Sequence, residues 1–305
     1  MTSYLLKRAG NTLLVLAGVI VVTFFLLRLT GDPVALLLPL DATPAAEQAL
    51  RISLGLDAPL HVQFTRYVGS LLQGDFGMSL RYHEDALALF KQRFPATLEL
   101  IGAAVALALL VGIPSGVLAA AKRGSLLDST LMSLALIGQA VPAFYLGLML
   151  MLLLSVQLGW LPTGGRGTLA QMVMPTIVLG SYLMALIARM TRSSVIETLG
   201  QDYSRTARAK GLAEHVVMIK HALKPALIPV ITMVGLQVGA LFSGAVITET
   251  VFTWPGIGRL AMEAISSRDF PVVQTVVVIS ATMFVLVNVV TDLLYGLVDP
   301  RIRYD

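Results

Sequence analysis

Cysteine is absent from the 305 residues. That excludes a disulfide scaffold, a cysteine nucleophile and any Cys-ligated zinc or iron–sulfur site. Charge is scarce as well: 13% of residues are charged and 56% are apolar, against about 25% and roughly 45–50% in soluble domains. A soluble fold with so few ionisable groups lacks the polar surface it needs. There is no Gly-x-x-x-x-Gly-Lys-Ser/Thr phosphate loop, no His-Glu-x-x-His zinc motif and no Gly-x-Ser-x-Gly elbow, so ATP hydrolysis by this chain, metalloprotease chemistry and esterase chemistry are not expected. His215 and His221 stand six apart, off the i, i+4 spacing of a helical ligand pair. A formal charge of +4 is too small to point to nucleic acid. No metal or cofactor is expected in the chain.

What remains is long, apolar and uncharged. A helix rises 1.5 Å per residue, so about 30 Å of hydrocarbon takes roughly 20 apolar residues. Charge-free runs of that length are Ala9–Leu27, Leu100–Ala121, Ser129–Gly165, Gly167–Ala188, Pro225–Thr248 and Phe270–Thr291. Backbone groups in lipid must pair within their own segment, so each run reads as a helix. The fold class is all-α, a polytopic membrane protein with six transmembrane helices. The third run exceeds one span; Pro142 is a candidate kink and Trp160 an interfacial anchor. The first run is longer than a signal-peptide core and is read as a retained helix.

Lys and Arg in short loops set orientation. One side carries Lys7, Arg8, Lys122, Arg123, seven between Arg189 and Lys224, and Arg301 and Arg303. The other side's short loops hold only Arg166, Arg259 and Arg268. Both termini are therefore expected in the cytoplasm. The organisation reads as an N-terminal transmembrane helix (residues 1–29), an external region (30–94) and a five-helix core (95–305) with a cytoplasmic loop at 189–224.

Three extramembrane stretches stand out. In the external region Leu60, Phe64, Tyr67, Val68 and Leu71 recur at helical spacing, which predicts an amphipathic helix over about His61–Leu72. It is either a packed cap or a solute-binding surface. The cytoplasmic stretch reads as two short helices, about Gln201–Lys210 and Ala213–Leu223, hinged at Gly211, with Pro225 restarting the chain as the fifth span. It suits either anionic lipid or a soluble partner. The stretch Glu249–Asp269 contains Gly256-Ile257-Gly258 and Ala261; no strand precedes it, so a dinucleotide fingerprint is rejected and an interfacial or re-entrant turn is expected. No ionisable residue falls mid-span, which weighs against an ion-coupled carrier. Gln139, Gln237, Ser243 and Asn288 are polar residues that either line a pathway or bond between helices. Gly235 and Gly239 form a Gly-x-x-x-Gly pair suited to close helix packing.

Several segments are similar to those of one family. Asp202-Tyr203-Ser204-Arg205-Thr206-Ala207-Arg208-Ala209-Lys210-Gly211 resembles the cytoplasmic EAA-type loop of bacterial ABC-importer permeases, with Arg205-Thr206-Ala207 in place of Glu-Ala-Ala as in the peptide branch. His221–Pro229, Gly31-Asp32-Pro33, Gly74-Asp75-Phe76-Gly77, Pro95-Ala96-Thr97-Leu98, Trp254-Pro255-Gly256, Arg268-Asp269-Phe270-Pro271 and Asp299–Tyr304 extend the likeness in order over nearly the whole chain. The chain resembles the first permease subunit of dipeptide, oligopeptide, glutathione or nickel importers, with the type I permease fold. The resemblance implies a bacterial inner-membrane importer with a second homologous permease, two ATPase subunits or domains that hold ATP and Mg, and an external solute-binding protein. It further implies a coupling helix at Arg205, Thr206, Ala207, Arg208, Ala209, Lys210 and Gly211, with Ala207, Ala209 and Gly211 packing closely and Arg205, Arg208 and Lys210 making polar contacts. An ion-gradient-driven carrier and a membrane assembly protein without transport activity are the rival readings.

Overall fold

The computed structural model describes residues 2–29, 34, 38 and 42–298, with side chains described throughout except at 2–9, 243, 290 and 292–298. Gly31-Asp32-Pro33, Asp299–Tyr304 and the side chains of Lys7, Arg8 and Ser243 lie outside that set. The helices are α1 (Thr2–Leu29), α2 (Pro44–Ser53), α3 (Leu60–Leu72), α4 (Ala86–Ala121), α5 (Leu126–Ala140), α6 (Ala143–Leu150), α7 (Leu169–Leu199), α8 (Asp202–Ala209), α9 (Glu214–Val216), α10 (Lys224–Val251), α11 (Ile257–Ser266) and α12 (Phe270–Val298). The described residues form no strand, only an isolated bridge between Met78 and Asp85.

Among the described residues five helices are long and apolar enough to cross a membrane, and α5 with the helical stretch after it makes a sixth span if the pair is one. That third run is broken, not merely kinked: the chain bends by 106° between its arms. Pro142 disfavours helical geometry at the residue before it, and Val141 is accordingly extended, with φ −76° and ψ 125°. Fifteen residues of α5 rise only about 22 Å at 1.5 Å each, short of the hydrocarbon thickness. Beyond α6 the chain runs on as a π-helix over Met151–Gln157.

The chain divides into two compact units. One contains the N-terminal segments up to Ala96 together with Pro255–Met283. In it α3 lies where the periodicity predicts and docks its aromatic face on α1. Phe24 meets Phe64 and Tyr67 at ring-centroid distances of 5.1 and 5.7 Å, Arg28 lies over the Phe24 ring, and Arg28 Nε donates to Gln63 Oε1. The stretch before α12 is pinned by Asp269, a fully buried residue. Its carboxylate accepts from Ser79 Oγ at 2.5 Å and from the Arg81 amide. Tyr82 donates its hydroxyl to Glu263. Instead of the expected turn, residues 257–266 form the ten-residue helix α11. Ile257, Leu260 and Ala264 are buried, a helical stripe that the Gly-Ile-Gly reading obscured.

The other unit holds Thr97–Trp254 and the segment from Phe284. Its helices meet at glycines. A Cβ on Gly116 would stand 2.5 Å from the Ala188 carbonyl oxygen and 2.6 Å from Thr191 Cβ, and one on Gly112 would press Ile187 at 2.8 Å. Gly180 returns the contact, with Ala104 O at 3.0 Å from its absent Cβ. These positions bring α4 and α7 backbone to backbone. Asp128 in the first turn of α5 accepts two bonds from Arg192 of α7, at 2.6 and 2.7 Å, and one from the Gly124 amide. At the end of α10, fully buried Glu249 accepts from Thr97 Oγ1 at 2.5 Å. It escaped the charge-free reading because that reading ends a run at the first charge, whereas the helix continues to Val251.

Replacing Gly116 by valine forces α4 and α7 apart and is expected to cost about 1–3 kcal/mol or more, as overpacking does. Gly102 of α4 has nothing within 4 Å of its would-be Cβ, so Gly102→Ala is tolerated. Thermal unfolding of the detergent-solubilised protein checks the pair: a drop in Tm is expected for Gly116→Val and none for Gly102→Ala.

Candidate functional site

Two regions of the second unit carry functional geometry: the 189–224 stretch and a cleft along α5, α7 and α10. The first begins where α7 ends at Leu199 and the chain turns into α8. Ser204 is fully buried and donates its hydroxyl to the Thr198 carbonyl at 2.8 Å, which ties α8 back to α7. Buried Ala207 follows one turn later. The end of α8 is a Schellman cap: the Gly211 amide donates to Arg208 O and the Leu212 amide to Ala207 O. Such a cap needs a left-handed residue, and Gly211 has φ +79°. A Cβ there would meet nothing within 4 Å. The requirement for glycine within this chain is therefore conformational, whereas the resemblance assigned it to close packing.

Arg208 locks the hinge. Its Nε and one terminal nitrogen donate to the two Glu214 carboxylate oxygens at 2.9 and 2.7 Å, and the other terminal nitrogen donates to Leu199 O at 3.1 Å. Arg205, Thr206, Ala209, Lys210 and Gly211 are exposed beside Tyr203 and Leu212. The result is a small exposed surface, basic and partly apolar, anchored by buried Ser204 and Ala207.

The second expected helix is not separate. α9 runs without a break through a π-helical stretch, Val217–Leu223, into α10. Val216, Leu223 and Lys224 at the junctions all keep right-handed helical dihedrals. Pro225 lacks the amide that an α-helix would bond to residue 221. The wider π turn immediately before it absorbs that missing bond. The expectation that Pro225 restarts the chain is therefore corrected: from Glu214 into the span the chain forms one continuous rod.

Within the membrane region, a cleft of about 320 Å³ is lined by Gln139, Ser181, Tyr182, Gln237 and Thr248 among apolar residues. The Thr248 hydroxyl is buried with no hydrogen-bond partner among the described residues. A second cleft, of about 610 Å³, is lined by Gln139, Arg189, Arg192 and Ser193 with Met132 and Leu186. Gln139 belongs to both. The structure thus brings Gln139 and Gln237 together, while Asn288 donates to Phe284 O of its own helix. Ser181, Tyr182 and Thr248 carried no sequence signal, because helix facing is not readable from composition. Gly235 and Gly239 sit against α12: a Cβ on Gly235 would come 2.5 Å from Thr291 Cγ2, and one on Gly239 would come 2.9 Å from the Phe284 ring. Among the described residues no group of three His, Asp or Glu side chains is placed to hold a metal.

This all-α chain, with its apolar helices, its broken third run and its exposed 202–211 loop, is built as an ABC-importer permease. Inward-facing crystal structures of the MetNI methionine ABC transporter match 70% of the chain and 97% of the transporter chain at TM-score 0.60 and 19% identity. The chain belongs to the binding-protein-dependent transport system inner membrane component family, whose profile matches residues 112–304, with the family's N-terminal profile on 1–101. It is 45% identical over 336 residues to the di/tripeptide transport system permease protein DppB of Pseudomonas aeruginosa, covering 100% of this chain and 99% of the relative. It is 42% identical to the dipeptide transport system permease protein DppB of Escherichia coli K12, with the same coverage. It is 43% identical to the glutathione transport system permease protein GsiC of Salmonella typhimurium over the full length of both. The chain is a multi-pass inner-membrane permease subunit of an ABC transporter, not itself an enzyme, and the ion-driven carrier is not favoured.

The Arg208 guanidinium holds the Glu214 carboxyl below its ordinary value. A carboxyl depressed in the fold contributes its stabilisation above the ordinary value and loses it as pH falls through the depressed one. The protection factors of the amides across residues 208–214, which remove the intrinsic pH dependence of exchange, are therefore expected to hold at neutral pH and to fall only in acid, below the ordinary glutamate range. Glu214→Gln is expected to show faster exchange at neutral pH and no acid step.

Proposed function

We propose that this chain is one of two homologous permease subunits of an ATP-driven importer for short peptides, with glutathione as the other solute of the same class. The full-length 45% identity to a di/tripeptide permease carries the reading, and the uncharged polar cleft at Gln139 and Gln237 supports it. An external solute-binding protein delivers the peptide. Two ATPase subunits or domains, which hold ATP and Mg, drive the cycle. The five helices of residues 95–305 form the permease core, residues 30–94 an external region, and both termini face the cytoplasm, as the Lys and Arg distribution supports.

Arg205 to Gly211 form the coupling element. Closure of the ATPases shifts the permease only if it favours one bundle arrangement through differential contacts. The exposed face of α8 offers the surface for those contacts. Arg208 ties it to Glu214, and from Glu214 the rod leads through the π turn into α10, which lines the cleft. A push on α8 therefore reaches Gln237 through continuous helix.

The test is ATP-driven uptake of a labelled dipeptide by the four-component complex in liposomes. Gly211→Val places a β-branched residue in left-handed geometry, at a cost of about 1–2 kcal/mol paid at the hinge alone. Membrane insertion is expected to remain, while uptake and stimulation of the ATPases by loaded binding protein fall together. Uptake by the wild type on a proton or sodium gradient without ATP would reject the proposal, as would wild-type coupling in Gly211→Val.

A further inference from the structure

The two clefts differ in charge. The smaller is lined by neutral groups only, and neither cleft has an Asp or Glu in its wall among the described residues. The larger has two arginines with different commitments. Arg192 is bound in bidentate fashion to Asp128, so its charge is matched and one edge of its fork is occupied. Arg189, one helical turn earlier on α7, pairs with no carboxylate among the described residues. Its guanidinium instead turns across to α5 and donates to Gln139 Oε1 at 2.7 Å. That acceptor is neutral, and it is the residue the two clefts share.

An arginine that only needed to sit at a membrane surface would extend toward headgroups and water. This one reaches into the cleft wall and holds a bond that a stronger acceptor can displace. A guanidinium prefers a carboxylate, which matches its planar fork and gives charge-assisted bonds roughly twice as strong as neutral ones. The side-chain amides of Gln139 and Gln237 each offer one acceptor and two donors, a complement to any peptide group whatever its side chain.

We propose that Arg189 is the carboxylate subsite of the pathway. A peptide held at the Gln139–Gln237 cleft presents its free carboxylate to the Arg189 guanidinium, which exchanges the Gln139 oxygen for it. The inference rests on the peptide-permease reading and adds a rule to it: a terminal carboxylate is read inside the permease, not only by the external binding protein. Because the site is open and shared with water, the gain is modest. Its expected size is about tenfold in affinity, the lower end for a hydrogen bond to a charged group.

The experiment uses the assembled importer in nanodiscs without binding protein or nucleotide, titrated with dialanine and with dialanine amide and followed by saturation-transfer NMR. Wild type is expected to bind the free acid about tenfold more tightly than the amide. Arg189→Gln is expected to lose that difference by weakening only the acid. Arg189→Lys is expected to restore most of it. Lys122→Gln, which removes a charge of the same sign away from the clefts, is expected to behave as wild type. Equal binding of acid and amide by the wild type overturns the proposal without any variant, and so does an equal loss of both in Arg189→Gln. Neither result touches the peptide-importer reading, which fails separately if the complete complex takes up no peptide on ATP.

Discussion

Lipid gives helices no hydrophobic reason to associate, so a bundle in a membrane depends on how closely two backbones can approach. In this permease the approach is set where α4 meets α7. At Gly112 and Gly116 even a methyl group would overlap Ile187, the Ala188 carbonyl or Thr191, and from the other side Gly180 abuts Ala104. With α7 fixed on α4, its other faces are free to carry function. It presents Arg192 to Asp128, Ser181 and Tyr182 to the smaller cleft, and Arg189 to the larger. The same helix runs on to Leu199, whose carbonyl accepts from Arg208. One uninterrupted helix therefore positions both the cleft and the hinge, and its rigidity depends on contacts that tolerate no side chain.

The second rod has a different origin. Pro225 and Pro229 lie where α10 begins, and a plain α-helix would lose hydrogen bonds at each. The π-helical stretch Val217–Leu223 changes the bonding register before the first of them, so α9 and α10 remain one rod. Gly211 is then the turning point of the loop, a left-handed residue closing the Schellman cap of α8 before the continuous helix begins at Glu214. A lever needs a stiff arm and a firmly held joint, and the proposed coupling element has the Arg208–Glu214 lock within fifteen residues of the membrane-spanning part of α10.

The apolar runs, the amphipathic helix over residues 61–72 and the hinge at Gly211 were legible because each is written in local order. Periodicity, charge-free length and a glycine between two helical patterns are properties of neighbouring residues. The misreadings share the opposite property. Pro225 reads as a restart unless the chain adopts a π turn, which leaves no compositional mark. Glu249 reads as the end of a span, because its burial depends on Thr97, 152 positions away. Gly235 and Gly239 stand out as a motif, yet Gly112 and Gly116 have the same spacing and pass unnoticed beside Pro114. The cleft was legible only as scattered glutamines; that Ser181, Tyr182 and Thr248 join them depends on helix facing, which one sequence does not encode.

The chemistry of the cleft bears on how a permease can move a solute it must also release. A pathway lined by strong fixed charges would hold a zwitterion as firmly as a receptor does, and conduction needs binding weak enough to leave. Here the walls of the smaller cleft are neutral, and the matched pair Asp128–Arg192 removes one charge from the larger. What remains for a solute is the Arg189 guanidinium and a set of amides and hydroxyls, each hydrogen bond worth only about 0.5–1.5 kcal/mol net of the water it replaces. Discrimination among side chains is not expected from such a surface, whereas recognition of the peptide group is. Glu249 of α10 is buried against Thr97 and does not line the cleft. A carboxylate in the wall would hold a solute's ammonium group firmly, whereas a wall free of acids, with each remaining contact weak, meets the condition that binding be loose enough for release.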